Sequence, residues 1–166
     1  MKNNQIKTLF ATALTCASVM AHAGALSVTE TTVLTAPPAK VWAQIGNFAS
    51  LGWHPAVEKT EMASGEAGHA GAVRHITLNG GGLIVEEQTA QGEHSMSYKI
   101  LESPLPVTGY ASELKVEADG DNTKVTWSST FDAKEGVSDA DAKGAIAGVY
   151  TGGFEALGKT FGTPAK

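Results

Sequence analysis

Cysteine, arginine and positive charge are all scarce in this chain of 166 residues. It has one cysteine, Cys16, and one arginine, Arg74, against eleven lysines. A single thiol excludes a disulfide framework and any multi-cysteine zinc site. With 12 Lys+Arg against 17 Asp+Glu the net charge is −5, which argues against nucleic acid and anionic membrane as partners. Long apolar runs are missing too. "TLFATALTCASVM", Thr8 to Met20, is too short to span a bilayer, so no membrane span is expected.

What surrounds that short run gives it a meaning. Lys2 and Lys7 precede it and "AHA", Ala21 to Ala23, follows with the small-x-small form of a cleavage site. Residues 1–23 therefore read as a cleaved export signal, the mature chain beginning at Gly24, with a periplasmic location expected. "ALTC" lacks the small residue before cysteine that a lipid anchor wants. The 143 residues of 24–166 form one domain-sized unit. Without Lys2 and Lys7, 10 basic residues face 17 acidic ones, a net charge near −7.

Periodicity predicts the elements. Ala25–Thr35 alternates apolar and polar like a half-buried strand. "APPAKVWAQIGNFAS" then shifts to helical spacing at Val41, Trp42, Ile45 and Phe48, and "LGWHP" reads as a second short helix or a turn. Strand-like runs follow at 57–63, 72–78, 83–90, 95–102, 108–118 and 123–133, parted by "NGGG", "QGEH", "SPLPVTG" and "ADGDN". A last helix places Ile146, Val149, Tyr150, Phe154, Leu157 and Phe161 on one face. The expectation is an α+β fold: a seven-stranded antiparallel sheet wrapped on a long C-terminal helix, with two short helices after the first strand. The glycines of the last helix serve either close packing on the sheet or a cavity beneath it.

Arg74 stands inside an apolar strand pattern, "GAVRHITLNGGGLIVEEQ". A surface strand can use lysine, whereas a planar guanidinium implies a fixed bidentate partner. If "NGG", Asn79 to Gly81, is a three-residue hairpin loop, Arg74 faces Glu86 on the side of Ile76, Leu78 and Ile84. A two-residue loop pairs it with Glu87 instead. The histidines at 54, 69, 75 and 94 show no close metal-binding spacing, so no metal or other cofactor is expected. "GEAGHAG" lies between strands and opens no helix, so it is a loop rather than a phosphate cradle. No GxSxG elbow occurs.

Four segments, "APPAKVWAQIGNFASLGWHPAVEKTE", "GAVRHITLNGGGLIVEEQ", "YKILESPLPVTGYASELKVE" and "TKVTWSSTFDA", resemble the polyketide cyclase/dehydrase and lipid-transport proteins. These share the START-like, or helix-grip, fold. The resemblance runs from Leu26 to about Phe161 and implies a deep, mostly apolar cavity between sheet and last helix. It brings forward as ligand-binding candidates the aromatic and ionisable residues Trp53, His54, Arg74, Glu86, Tyr98 and Tyr110. Ile76, Ile84, Leu105, Trp127, Tyr150 and Phe154 complete that set. In the lachrymatory-factor-synthase branch the positions of Arg74 and Glu86 hold a catalytic pair, which makes these two the catalytic candidates. "SPLPVTGY" matches a lid loop of the receptor branch. The exported branch with "WHPA" and "LPVTGY" is similar to the periplasmic accessory proteins of methanol oxidation, the MxaD type.

Three functions follow from that resemblance. The first is a non-enzymatic accessory factor that aids electron transfer between a periplasmic dehydrogenase and its cytochrome. The second is a carrier of an apolar small molecule or lipid. The third is a cyclase- or dehydratase-type enzyme using Glu86 as base and Arg74 as anion stabiliser. The poverty of catalytic groups favours a non-enzyme, because an arginine beside Glu86 lowers the basicity a general base needs.

Overall fold

Seven runs of alternating residues become seven strands: β1 (Leu26–Leu34), β2 (Val57–Ser64), β3 (Val73–Leu78), β4 (Leu83–Gln91), β5 (Ser95–Glu102), β6 (Val107–Asp119) and β7 (Asn122–Ala133). The structure is a computed structural model that describes residues 24–165; the expected export signal, with Cys16, lies outside the described residues. The strands pair antiparallel in the order β1-β7-β6-β5-β4-β3-β2. In β7 the alternation is unbroken, with Thr123, Val125, Trp127, Ser129 and Phe131 all buried on the inner face. The sheet bends around the long helix α2 (Asp139–Phe161).

Of the two short helices expected after β1, the first forms. Helix α1 (Pro38–Ile45) starts on a proline, whose fixed φ and missing N–H suit the first helical position. Its buried residues Val41 and Ile45 join Phe48 in the core. The second is replaced by successive turns, in which Ser50, His54 and Val57 donate backbone N–H groups to Asn47, Leu51 and His54. Pro55 explains this, since it offers no N–H and disfavours helical backbone at His54.

Bulges bend the sheet and break the simple alternation. On β5, Leu101 is the extra residue between the pairs Val85↔Glu102 and Glu86↔Ile100, and it stands 51% exposed. On β6 the register shifts between Thr108 and Ala111, with Gly109 at φ 61°. That left-handed residue lets both Val107 and Tyr110 point inward although they are three apart.

Helix α2 is capped by Ser138, whose side chain accepts from the N–H of Asp141 at 3.1 Å, with Asp139 and Asp141 in the first turn. Its inner face carries Ala142, Ile146, Tyr150, Gly153, Phe154 and Leu157. Among the glycines of α2, Gly153 lets the turn segment come close. A Cβ on Gly153 would meet His54 Cδ2 at 2.9 Å and Trp53 Cζ3 at 3.1 Å, whereas Gly144, Gly148 and Gly152 face open space. Close packing thus accounts for Gly153, and nothing in the structure explains the other three.

These two environments predict opposite effects of one methyl group. Gly153→Ala is expected to destabilise by about 1–3 kcal/mol through overpacking against the turn segment. Gly148→Ala is expected to stabilise by about 0.5–1 kcal/mol through helix propensity alone. Urea unfolding of the two variants checks the contrast.

Candidate functional site

Residues at one end of the sheet leave a gap in the interior. The main core packs α1, α2 and most of the sheet, while Leu51, Ile76 and Ile84 form a separate apolar cluster. Between them lies a cavity of about 270 Å³. Its floor comes from β3 to β7, its roof from Ile146, Val149 and Tyr150 of α2, and its mouth from the 51–57 turns and Leu105. The walls are mostly apolar, with a few converging polar groups, as small-molecule sites usually are.

The hairpin register decides the chemistry of one wall. Leu78 donates its N–H to Gly82 and Gly81 donates to Leu78, so "NGG" is a three-residue loop and Arg74 pairs with Glu86. Glu87 points outward to Lys99. Arg74 is 1% exposed and Glu86 5%. Arg74 Nε donates to Glu86 Oε2 at 2.8 Å and Nη2 reaches the same oxygen at 2.6 Å. Nη1 donates to the Phe48 carbonyl at 2.8 Å, and the guanidinium lies over the Phe48 ring, 4.3 Å from its centroid. Burial pushes the Glu86 carboxyl above its ordinary 4.5, with the Arg74 charge and hydrogen bonds pulling the other way. Both guanidinium contacts fall on Oε2; among the described residues no hydrogen-bond donor reaches Oε1. Glu86 lines the cavity, but Arg74 stands behind it.

Hydroxyls and one imidazole complete the polar set. Trp127 Nε1 donates to the Tyr98 hydroxyl at 2.7 Å, and the Tyr110 and Tyr150 hydroxyls lie 2.6 Å apart. Burial raises the pKa of all three tyrosines, so they stay neutral hydroxyls at physiological pH. His54 has both ring nitrogens engaged: Nδ1 accepts from the Ala56 N–H at 3.2 Å, so Nε2 carries the proton and donates to the Val149 carbonyl at 2.9 Å. This neutral tautomer ties the turn segment to α2.

Of the twelve binding candidates, nine line the cavity: His54, Ile76, Ile84, Glu86, Tyr98, Leu105, Tyr110, Trp127 and Tyr150. Three lie outside its wall. Besides Arg74 these are Trp53, whose ring packs on Trp127 at 5.7 Å, and Phe154, which packs on Trp127 at 6.3 Å. Seven wall residues are not among the twelve candidates: Leu51, Ala56, Val57, Leu78, Ile100, Ile146 and Val149. Leu78 and Ile100 share a strand face with Ile76 and Tyr98, and Ile146 and Val149 share a helix face with Tyr150, so periodicity held a signal for those four. Leu51 and Ala56, in the turns, carried none, and Val57 stands at the very start of β2. Among the described residues no three metal-capable side chains converge.

Burial holds the His54 pKa below its ordinary 6.5, the Val149 carbonyl opposing in part. Its contribution to stability is therefore complete above pH 6.5 and is lost as pH falls from there through the folded pKa. Glu86, with its pKa raised, works the other way: its contribution is complete below pH 4.5 and is lost as pH rises through the folded value. Comparing wild type with His54→Gln, which keeps Glu86, isolates the histidine. From pH 7.5 to 5.5 wild type is expected to lose more urea stability than the variant, by at most about 1.4 kcal/mol per pH unit.

The grip of an antiparallel sheet on a long helix has counterparts among solved structures. XoxI of Bacillus cereus is 34% identical over 81% of this chain and 94% of that one, with a TM-score of 0.74. A Bacillus thuringiensis protein is 30% identical over 82% and 98%, also with a TM-score of 0.74. A Nitrosospira multiformis protein shares the fold, with a TM-score of 0.71 at 24% identity over 82% and 96%. No curated protein matches the chain. The model of one family, described as polyketide cyclase/dehydrase and lipid transport, matches residues 25–162. That match covers both walls of the cavity and the helix above it, and the chain belongs to this family of polyketide cyclases/dehydrases and lipid-transport proteins.

Proposed function

We propose that the chain binds a small, mostly apolar molecule in this cavity and does not turn it over. The observation that carries this is the gap of about 270 Å³ between two apolar clusters, walled by aliphatic and aromatic side chains. It lies just below the roughly 300–1,000 Å³ of drug-sized sites, which suits a compact ligand better than a two-chain lipid. The enzyme reading, with Glu86 as base and Arg74 as anion stabiliser, is weaker. Glu86 Oε2 is held by two guanidinium contacts, and both His54 nitrogens are occupied within the protein. The test is to titrate wild type and Leu78→Trp with anisole, following backbone amide shifts of the residues that line the cavity. Saturable binding by wild type, lost when the new indole fills the cavity, is the expected outcome; equal binding by the variant would place the ligand elsewhere.

A second reading concerns where the binder works. We propose export to the periplasm and an accessory role in methanol oxidation, beside a dehydrogenase and its cytochrome. The lysine-led apolar segment ending in "AHA", the net negative charge and the "WHPA" and "LPVTGY" segments support it. An acidic surface attracts a partner with a basic patch, and salt weakens that attraction. Deleting the gene in its host is expected to lower methanol-dependent respiration, with rescue by wild type. Unchanged respiration would sink the accessory role and leave cavity binding intact.

A further inference from the structure

We infer that the cavity selects a neutral ligand carrying one hydrogen-bond donor, a hydroxyl or amide N–H, which Glu86 Oε1 accepts while the apolar remainder fills the gap toward Ile76 and Leu105. The inference rests on the cavity being the binding site, as proposed above, and adds the chemistry of what enters it.

Charge balance comes first. Arg74 and Glu86 are the charged pair at this wall, and they cancel. The other polar wall groups are neutral: His54 as its Nε2–H tautomer, and the hydroxyls of Tyr98, Tyr110 and Tyr150. A ligand ammonium or carboxylate would place an uncompensated charge among aliphatic walls, which costs several kcal/mol of solvation. An ammonium seeking Glu86 competes with a guanidinium already seated on it. A carboxylate seeking Arg74 finds the guanidinium behind Glu86, with Nη1 committed to the Phe48 carbonyl.

Hydrogen-bonding capacity comes second. A carboxylate oxygen only accepts, and Oε1 has no donor from the described residues although Glu86 is 5% exposed. Leaving such an oxygen unpaired in an apolar cavity is costly, so a ligand donor gains a charge-assisted bond there. The other groups meet one another through Trp127 to Tyr98 and Tyr110 to Tyr150, which leaves hydroxyl hydrogens in the wall but no second anionic acceptor. Tyr98 also stands within the field of Glu86, which helps to raise its pKa, and therefore offers no competing anion.

Benzyl alcohol and anisole are isomers, equal in volume, of which only the first donates. The experiment measures their dissociation constants at pH 7 for wild type and for Arg74→Met/Glu86→Leu, a double variant that removes the pair without stranding a charge. Taking the ratio of the two constants within each protein cancels the different hydration of the probes. The anisole-to-benzyl alcohol ratio is expected to be about 10-fold higher in wild type than in the double variant, the worth of one hydrogen bond to a charged group. Benzylammonium and benzoate are expected to bind wild type more weakly than benzyl alcohol, a ranking that needs no variant. An unchanged ratio with both isomers still bound would overturn the donor assignment and leave the apolar-ligand reading standing. Preference for benzylammonium or benzoate in wild type would overturn the neutrality argument. Failure of every probe to bind wild type would overturn both readings together.

Discussion

A buried guanidinium dictates more of this molecule than any other group. Arg74 cannot lose its proton, so everything around it must supply acceptors and a tolerable dielectric. The three-residue loop brings Glu86 opposite, the turn after α1 brings the Phe48 carbonyl, and two aromatic rings, Phe48 and Tyr98, cover the cation. Removing Glu86 alone would strand a charge at a cost of about 3–5 kcal/mol, while replacing both partners with apolar groups would cost far less. The pair is therefore poor evidence of stability for its own sake. Its position, with Glu86 in the cavity wall, is what gives it significance.

The cavity has an energetic logic of its own. Empty apolar space costs roughly 24 cal/mol per Å³ in engineered cores, which for about 270 Å³ gives ~6 kcal/mol if the space were dry. Filling such a gap returns part of that cost as affinity. The separation of Leu51, Ile76 and Ile84 from the main core is the packing signature of the same fact. The turn segment that closes this end is held to α2 by one imidazole bond and by the ring contacts that Gly153 permits.

Much of this was legible beforehand, for physical reasons that differ by region. Strand alternation narrowed the partner of Arg74 to Glu86 or Glu87, because side-chain parity follows from counting residues across a hairpin, and the three-residue "NGG" loop selects Glu86. The isolation of a single arginine among lysines flagged its burial. The second short helix was not there, because Pro55 breaks it. Bulges at Leu101 and near Gly109 alter parity without a sequence signature strong enough to place them, which blurred the far wall. Trp53 and Phe154, expected at the ligand site, pack against the Trp127 ring instead of lining the cavity. Leu51 and Ala56 reach the cavity through turns, where no periodicity exists to announce a direction, and Val57 reaches it from the first position of β2. Gly153 was one glycine among several in the helix, and only the neighbouring ring distances single it out.

Because the sole guanidinium is sealed inside, every cation on the outer surface is a lysine or a histidine. Lysine is a strongly hydrated point charge and lacks the planar fork that grips carboxylates in two places. The exterior can offer carboxylates as acceptors, but it has no fork of its own to offer in return. Any bidentate lock at an interface with another macromolecule must be built from the other side, by that molecule's arginines closing on acidic groups of this chain. Orientation in such an encounter would then be set by where those carboxylates stand on the sheet's outer face.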